Sequence, residues 1–278
     1  MNKIIEHIYK KYFSFFIKKS KKNKEDEEKR FDKSVLEFRK QLDVFQSFME
    51  IKYDSNRDIK SLNIQSIMIL RISGQLYLTA QSLYRMAMFE SYKDGLNYYT
   101  LDSVSLLALS RCLIDQCLFF VYICNPDKIE PNFNLRYVVF QLHFANQMLK
   151  LENSDSEEYR QQITLLRNKI LMNSDFQKIR RADQKRILTG KYMFIKPHRD
   201  IALECGWKSD FFDKTYTFLS ANIHYSPLSF FKTGGIDFDR PTTKHFTLAA
   251  MAFELPTKSL ESATKNLINY FGKYENSL

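Results

Sequence analysis

Apolar and polar positions recur at helical spacing along most of this chain. Near its start, Ile4, Ile5, Ile8, Tyr9, Tyr12, Phe13 and Phe16 share one face, while Lys10, Lys11, Ser14 and Lys18 lie mainly on the other. Residues 18–30 are a run of basic and then acidic charges, which reads as a solvated linker or an exposed helix. Helical patterns follow over 31–52 and 62–92, the second setting Arg71, Gln75, Gln81 and Arg85 among Ile67, Leu70, Leu76, Leu78 and Leu83. After a turn at Gly95, residues 104–124 form the most hydrophobic segment, ended by Asn125-Pro126. The pattern then predicts helices over 132–151, 154–172, 175–190, about 198–205, about 210–225 and about 242–272. The last of these is interrupted near Pro256. Residues 154–190 are rich in Gln, Arg and Lys and are expected at the periphery. Residues 191–197 read as a connector, and 232–241 as the one turn-rich stretch.

These patterns predict an all-α protein, a multi-helix bundle with an N-terminal amphipathic helix and one short turn-rich insertion. Residues 1–30 form a basic amphipathic helix and charged linker, and 31–278 a single helical domain. Seven Gly and six Pro in 278 residues agree with long helices, and 24 Phe and 16 Tyr supply core volume.

The hydrophobic helix at 104–124 has the length of a membrane span. Eleven of residues 104–123 are Leu, Ile, Phe or Val, but Arg111 and Asp115 stand at its centre. Together these two would cost about 5–7 kcal/mol on an insertion scale, so a core helix is the expectation. The two are four residues apart, on one face with Leu107, Ala108, Leu118 and Tyr122. They read either as an intrahelical ion pair clamping a neighbouring helix, or as a preset cation and carboxylate at a polar site.

A second polar ridge lies at 211–227. Tyr216, Ser220 and His224 recur every fourth residue, beside a stripe of Phe212, Thr215, Leu219, Asn222 and Ile223 that would anchor the helix in a core. Two hydroxyls and an imidazole in line suit a polar site, and equally a buried hydrogen-bond ladder.

The net charge is +10, and residues 1–30 carry half of it, with ten Lys/Arg against five Asp/Glu. The rest is mildly basic, which permits a polyanion partner without requiring one. Segment 4–17, from Ile4 to Ile17, could lie on an anionic membrane surface, dock on the domain, or pair with a second copy in a homodimer. Cys112, Cys117, Cys124 and Cys205 show no C-x-x-C spacing. With no signal-like segment, they point to the reducing cytoplasm, the first three as small hydrophobes in one helix.

No P-loop, G-x-G-x-x-G, H-E-x-x-H or G-x-S-x-G occurs, and the five histidines have no partners at metal-ligand spacing, so neither metal nor cofactor is expected. Arg136-x6-His143 and Arg240-x4-His245 fit the loose Arg–His spacing of the HEPN (higher eukaryotes and prokaryotes nucleotide-binding) ribonucleases. The usual polar residue after the arginine is replaced by Tyr137 and Pro241.

Over roughly 62–230 the chain resembles a bacterial family of helical proteins, domain of unknown function 5677. Residues 95–123 are similar to its first signature, a glycine turn and then a helix with Arg-x-x-x-Glu. Arg111 matches the arginine and Asp115 stands in place of the glutamate. The second signature, Tyr-x-x-x-Ser-x-x-x-His with Ser-Pro following, is matched by Tyr216, Ser220, His224, Ser226 and Pro227. The resemblance implies a HEPN-like helical fold and a setting near phage-defence and abortive-infection genes.

Two functions are then expected. In one, a metal-independent ribonuclease of phage defence binds RNA, with His224 as general acid/base, Arg111 on phosphate charge, and Asp115, Tyr216 and Ser220 completing the site. In the other, the same residues are a structural lock in a non-enzymatic binding or regulatory module, membrane-associated through Ile4–Ile17.

Overall fold

The computed structural model describes residues 24–55, 63–88, 103–124, 133–152, 156–204, 206–223 and 243–275. These form ten helices and, among the described residues, no strand, so the protein is all-α. In chain order they are α1 (Lys24–Ser55), α2 (Ile64–Met88), α3 (Ser103–Cys124), α4 (Phe133–Leu151), α5 (Glu157–Leu171), α6 (Ser174–Gln177), α7 (Arg181–Leu188), α8 (His198–Glu204), α9 (Ser209–Ile223) and α10 (Thr243–Glu275). The expected amphipathic helix at 4–17, the turn at Gly95, Cys205, His224 and the turn-rich stretch 232–241 lie outside the described residues.

The chain separates into two compact units. The first draws on Met1–Arg57, Leu70–Cys117 and Asp213–Thr264, the second on Asp58–Ile69, Leu118–Phe212 and Lys265–Leu278.

In the first unit α1 buries Phe31, Val35, Phe38, Leu42, Phe45 and Met49. Their steps of four and three residues keep one stripe inward over five turns. The helix begins at Lys24, inside the charged stretch, and Glu25, Asp26 and Glu27 complement the positive end of its dipole. Phe38 meets Phe253 of α10 edge-on at 5.3 Å, and Phe31 contacts both Phe246 and Phe253. Polar pairs flank this seam. Arg30 donates from Nε and Nη2 to the two Glu254 oxygens at 2.7 Å each, and Gln41 donates to Thr264 at 2.9 Å. Pairings that ascend together along both helices, from Glu27–Thr247 to Gln41–Thr264, make α1 and α10 parallel.

Pro256 does not interrupt α10, which runs unbroken to Glu275. Proline removes one N–H from the ladder. Just beyond it, Thr257 Oγ1 donates to the Phe253 carbonyl at 2.6 Å, and Phe253 and Leu255 are buried before the proline and Leu260 after it. Core burial on both sides of the proline outweighs the lost bond.

The second unit has its core between α4 and α5. Leu135, Val139, Leu142 and Ala145 pack with Ile163, Leu166, Ile170, Phe176, Ile187 and Ile195. The Gln/Arg/Lys-rich helices expected at the periphery therefore supply half of this core, through a narrow apolar stripe. The single helix expected over 175–190 is two, α6 and α7. Asn173 caps α6 by accepting from the Asp175 and Phe176 N–H groups. Gln184 then donates to the Phe176 carbonyl at 2.8 Å, satisfying the end of that short helix from the next.

Candidate functional site

The site lies in the first unit, where α3 and α9 each turn a polar ridge beside an apolar stripe. On α9, Thr215, Phe218 and Leu219 are buried and anchor the helix. That burial leaves Tyr216 and Ser220 half-buried on its flank. On α3, Leu106, Leu107, Leu113 and Ile114 are buried, and this packing carries Ser110 and Arg111 inward with them. Of the cysteines in α3, Cys117 and Cys124 are buried as expected, whereas Cys112 is exposed, one position beyond the inward stripe.

Arg111 is the centre of the cluster. Its side chain is only 8 % exposed, and Nη1 makes an ion pair with the Asp115 carboxylate one turn on, whose side chain is 40 % exposed. The guanidinium lies over the Tyr216 ring, 3.5 Å from its centroid, and Nε is 3.5 Å from Ser220 Oγ. Four of the five residues expected to converge, Arg111, Asp115, Tyr216 and Ser220, are thus together. His224, which continues their ridge by one turn in sequence, lies outside the described residues.

The electrostatics follow from this placement. Burial raises the Tyr216 phenol above the ordinary tyrosine value, the nearby Asp115 charge adds to the rise, and Arg111 opposes it. The phenol is therefore a neutral hydrogen-bonding group near pH 7. Arg111 is ion-paired with Asp115 and stacked on a π face, so the described cluster presents a paired cation beside a partly exposed carboxylate. Among the described residues no group of three or more His, Cys, Asp or Glu side chains could hold a metal ion.

The two Arg–His matches to the ribonuclease spacing fall differently. Arg136 is fully buried on α4 in the second unit, donates from Nη1 to the Tyr122 carbonyl, and lies 5.2 Å from the Tyr122 ring centroid. His143 Nδ1 instead meets the Gly190 carbonyl at 3.2 Å. Gly190 is at φ 66°, and a Cβ there would fall 2.1 Å from Asn146 Nδ2, so the turn holding His143 demands glycine. Arginine and histidine of this match serve separate structural contacts. Of the second match, Arg240 lies outside the described residues. His245 is on α10, its imidazole held below the usual histidine value by burial and by the charge of Lys244.

Arg136 enters the sequence reading only as half of an Arg–His match and Tyr122 only on the Arg111 face, whereas in the fold the two form a buried polar centre of their own. Their signal was present, since Leu135, Val139 and Leu142 place Arg136 on the inward stripe of α4. No family model, no curated protein and no solved structure matches this chain.

Proposed function

We propose that this protein is a non-enzymatic binding or regulatory module in which the Arg111 cluster locks α3 to α9. The observation that carries this reading is the state of Arg111. A phosphate-stabilising arginine needs N–H groups directed at substrate. Here Nη1 faces Asp115, Nε faces Ser220, and the flat face rests on Tyr216. The resemblance to domain of unknown function 5677 supports placing such a module in a phage-defence system.

A metal-independent ribonuclease is the second reading, supported by the 40 % exposure of Asp115 and the half-buried Tyr216 and Ser220, which leave a reachable polar rim. One experiment separates the two. Purified wild-type protein, Arg111→Lys and His224→Ala are incubated with RNA in EDTA, and each is melted in parallel. The lock predicts intact RNA throughout and a lowered melting temperature for Arg111→Lys, whose ammonium cannot stack as a planar fork. RNA cleavage by wild type that falls about 10²–10⁴-fold in His224→Ala, with unchanged melting, would overturn it.

A further inference from the structure

In the second unit, Arg136 is a fully buried guanidinium with only one of its edges in use. Nη1 donates to the Tyr122 carbonyl, whereas Nε and Nη2 have no hydrogen-bond partner among the described residues. These two nitrogens form the side-on edge of a guanidinium, whose parallel N–H groups match the two oxygens of an oxyanion. The same chain shows that edge at work elsewhere. Arg30 holds Glu254 through Nε and Nη2 at 2.7 Å each, and Arg39 holds Asp43 through the same pair at 3.1 and 2.9 Å.

Among the described residues no carboxylate occupies the corresponding edge of Arg136. The neighbouring acid is Glu204, and its Oε1 is paired with Lys196 at 2.5 Å. The Tyr122 hydroxyl accepts from the Ile195 N–H at 3.3 Å, and Arg186 Nη2 donates to the Ile195 carbonyl at 2.5 Å. The connector carrying Ile195 and Lys196 is thereby pinned beside Tyr122 by backbone contacts, and its lysine is paired with Glu204. Lys196 takes only one Glu204 oxygen; the other, Oε2, is buried with no hydrogen-bond partner among the described residues, so this carboxylate acts on Arg136 through its charge and not through a hydrogen bond. A buried cation so placed favours a small bound anion, because isolated charge in an apolar interior is costly.

We propose that the Nε/Nη2 edge of Arg136 is the anchor of a binding site for a small oxyanion, a carboxylate or phosphate group held side-on in the second unit beside Tyr122. The connector at Ile195 and Lys196 would shape its rim, and Lys196 would supply a second positive charge if Glu204 turned aside. This site is separate in chemistry from the Arg111 cluster, whose cation already has its carboxylate.

The test uses the full chain in a chloride buffer, titrated with inorganic phosphate or with acetate at constant ionic strength. The Arg136 Nε–H signal, assigned by its loss in Arg136→Lys, is followed by NMR, and melting is recorded alongside. The site predicts a saturable shift of that signal with at least one of the two anions, and a melting temperature raised by roughly 2–4 °C. Arg136→Lys keeps the charge but lacks the fork, and should lose the melting response. A response to phosphate alone assigns a phosphate-bearing ligand, and one to acetate alone a carboxylate. An unmoved Nε–H signal with both anions, or an equal melting response in wild type and Arg136→Lys, overturns the proposal.

Discussion

Arg111 in the first unit and Arg136 in the second are both buried on apolar helices, and both are set against a tyrosine, at 3.5 Å and 5.2 Å from the ring centroid. They differ in what neutralises them. Arg111 has Asp115 one helical turn away, with a carboxylate that is still 40 % exposed. Arg136 has a backbone carbonyl and a ring, and burial pulls its guanidinium below the ordinary arginine value. An arginine with an i+4 carboxylate carries its counter-charge on its own helix, so its environment needs to add only a stacking surface. An arginine without one depends on the fold, or on a ligand, to compensate it.

The largest effect that could break this comparison is expected at Arg136. Arg136→Ala leaves a void and strips the Tyr122 carbonyl of its donor, and should cost about 3–5 kcal/mol in urea unfolding. Arg136→Met fills most of that volume without the charge, and in buffer free of phosphate and carboxylate should lie within about 1 kcal/mol of wild type or above it. Equal losses in the two variants would mean that the guanidinium donors hold the unit, and the contrast with Arg111 would fail.

A smaller loss is expected in the first unit. Arg111→Ala should cost about 1–3 kcal/mol, since Asp115 can rehydrate where it already meets solvent. Tyr216→Leu should cost about 0.5–2 kcal/mol by removing the π face, and Tyr216→Phe, which keeps it, no more than about 0.5 kcal/mol. A double-mutant cycle between Arg111 and Tyr216 sharpens the point: no coupling energy would show that the stacking seen at 3.5 Å does not hold α3 to α9.

The smallest effect is the pH dependence of the tyrosines. In the unfolded chain a phenol loses its proton near pH 10. In the fold Tyr216 holds its proton to higher pH because of burial and of Asp115, and Tyr122 does so through burial, partly offset by the Ile195 N–H and Arg136. The folded chain then binds more protons than the unfolded one above about pH 10. The stability contributed by the neutral phenols is complete below that value and is lost as pH rises through the folded values. Tyr216→Phe should flatten part of this alkaline slope. An unchanged slope would show that Tyr216 is not in a low-dielectric setting.

Much of this was legible along the chain. The inward stripe of α1, from Phe31 to Met49, stands in the sequence at steps of four and three, because a helix repeats every 3.6 residues and side chains cannot leave their face. The ridges Arg111/Asp115 and Tyr216/Ser220 follow from the same periodicity. That the ion pair forms is a local matter, since i and i+4 are neighbours on any helix. Local sequence, by contrast, did not determine whether α10 survives Pro256, because the lost hydrogen bond is set against Phe253 and Leu255 buried in a core assembled from distant residues. Nor did it separate α6 from α7, where the Asn173 cap and the Gln184 bond to the Phe176 carbonyl end a pattern that periodicity alone continues.

The deepest difference concerns the two arginines themselves. Sequence placed both on apolar stripes, and the i+4 carboxylate of Arg111 was readable directly. That Arg136 reaches the Tyr122 carbonyl fourteen residues back, while Glu204 gives one oxygen to Lys196, depends on separate helices and a connector meeting in three dimensions. Periodicity dictates which residues face inward. Only tertiary packing decides which partners wait there, because counter-charges across a core come from segments whose separation along the chain carries no spatial signal.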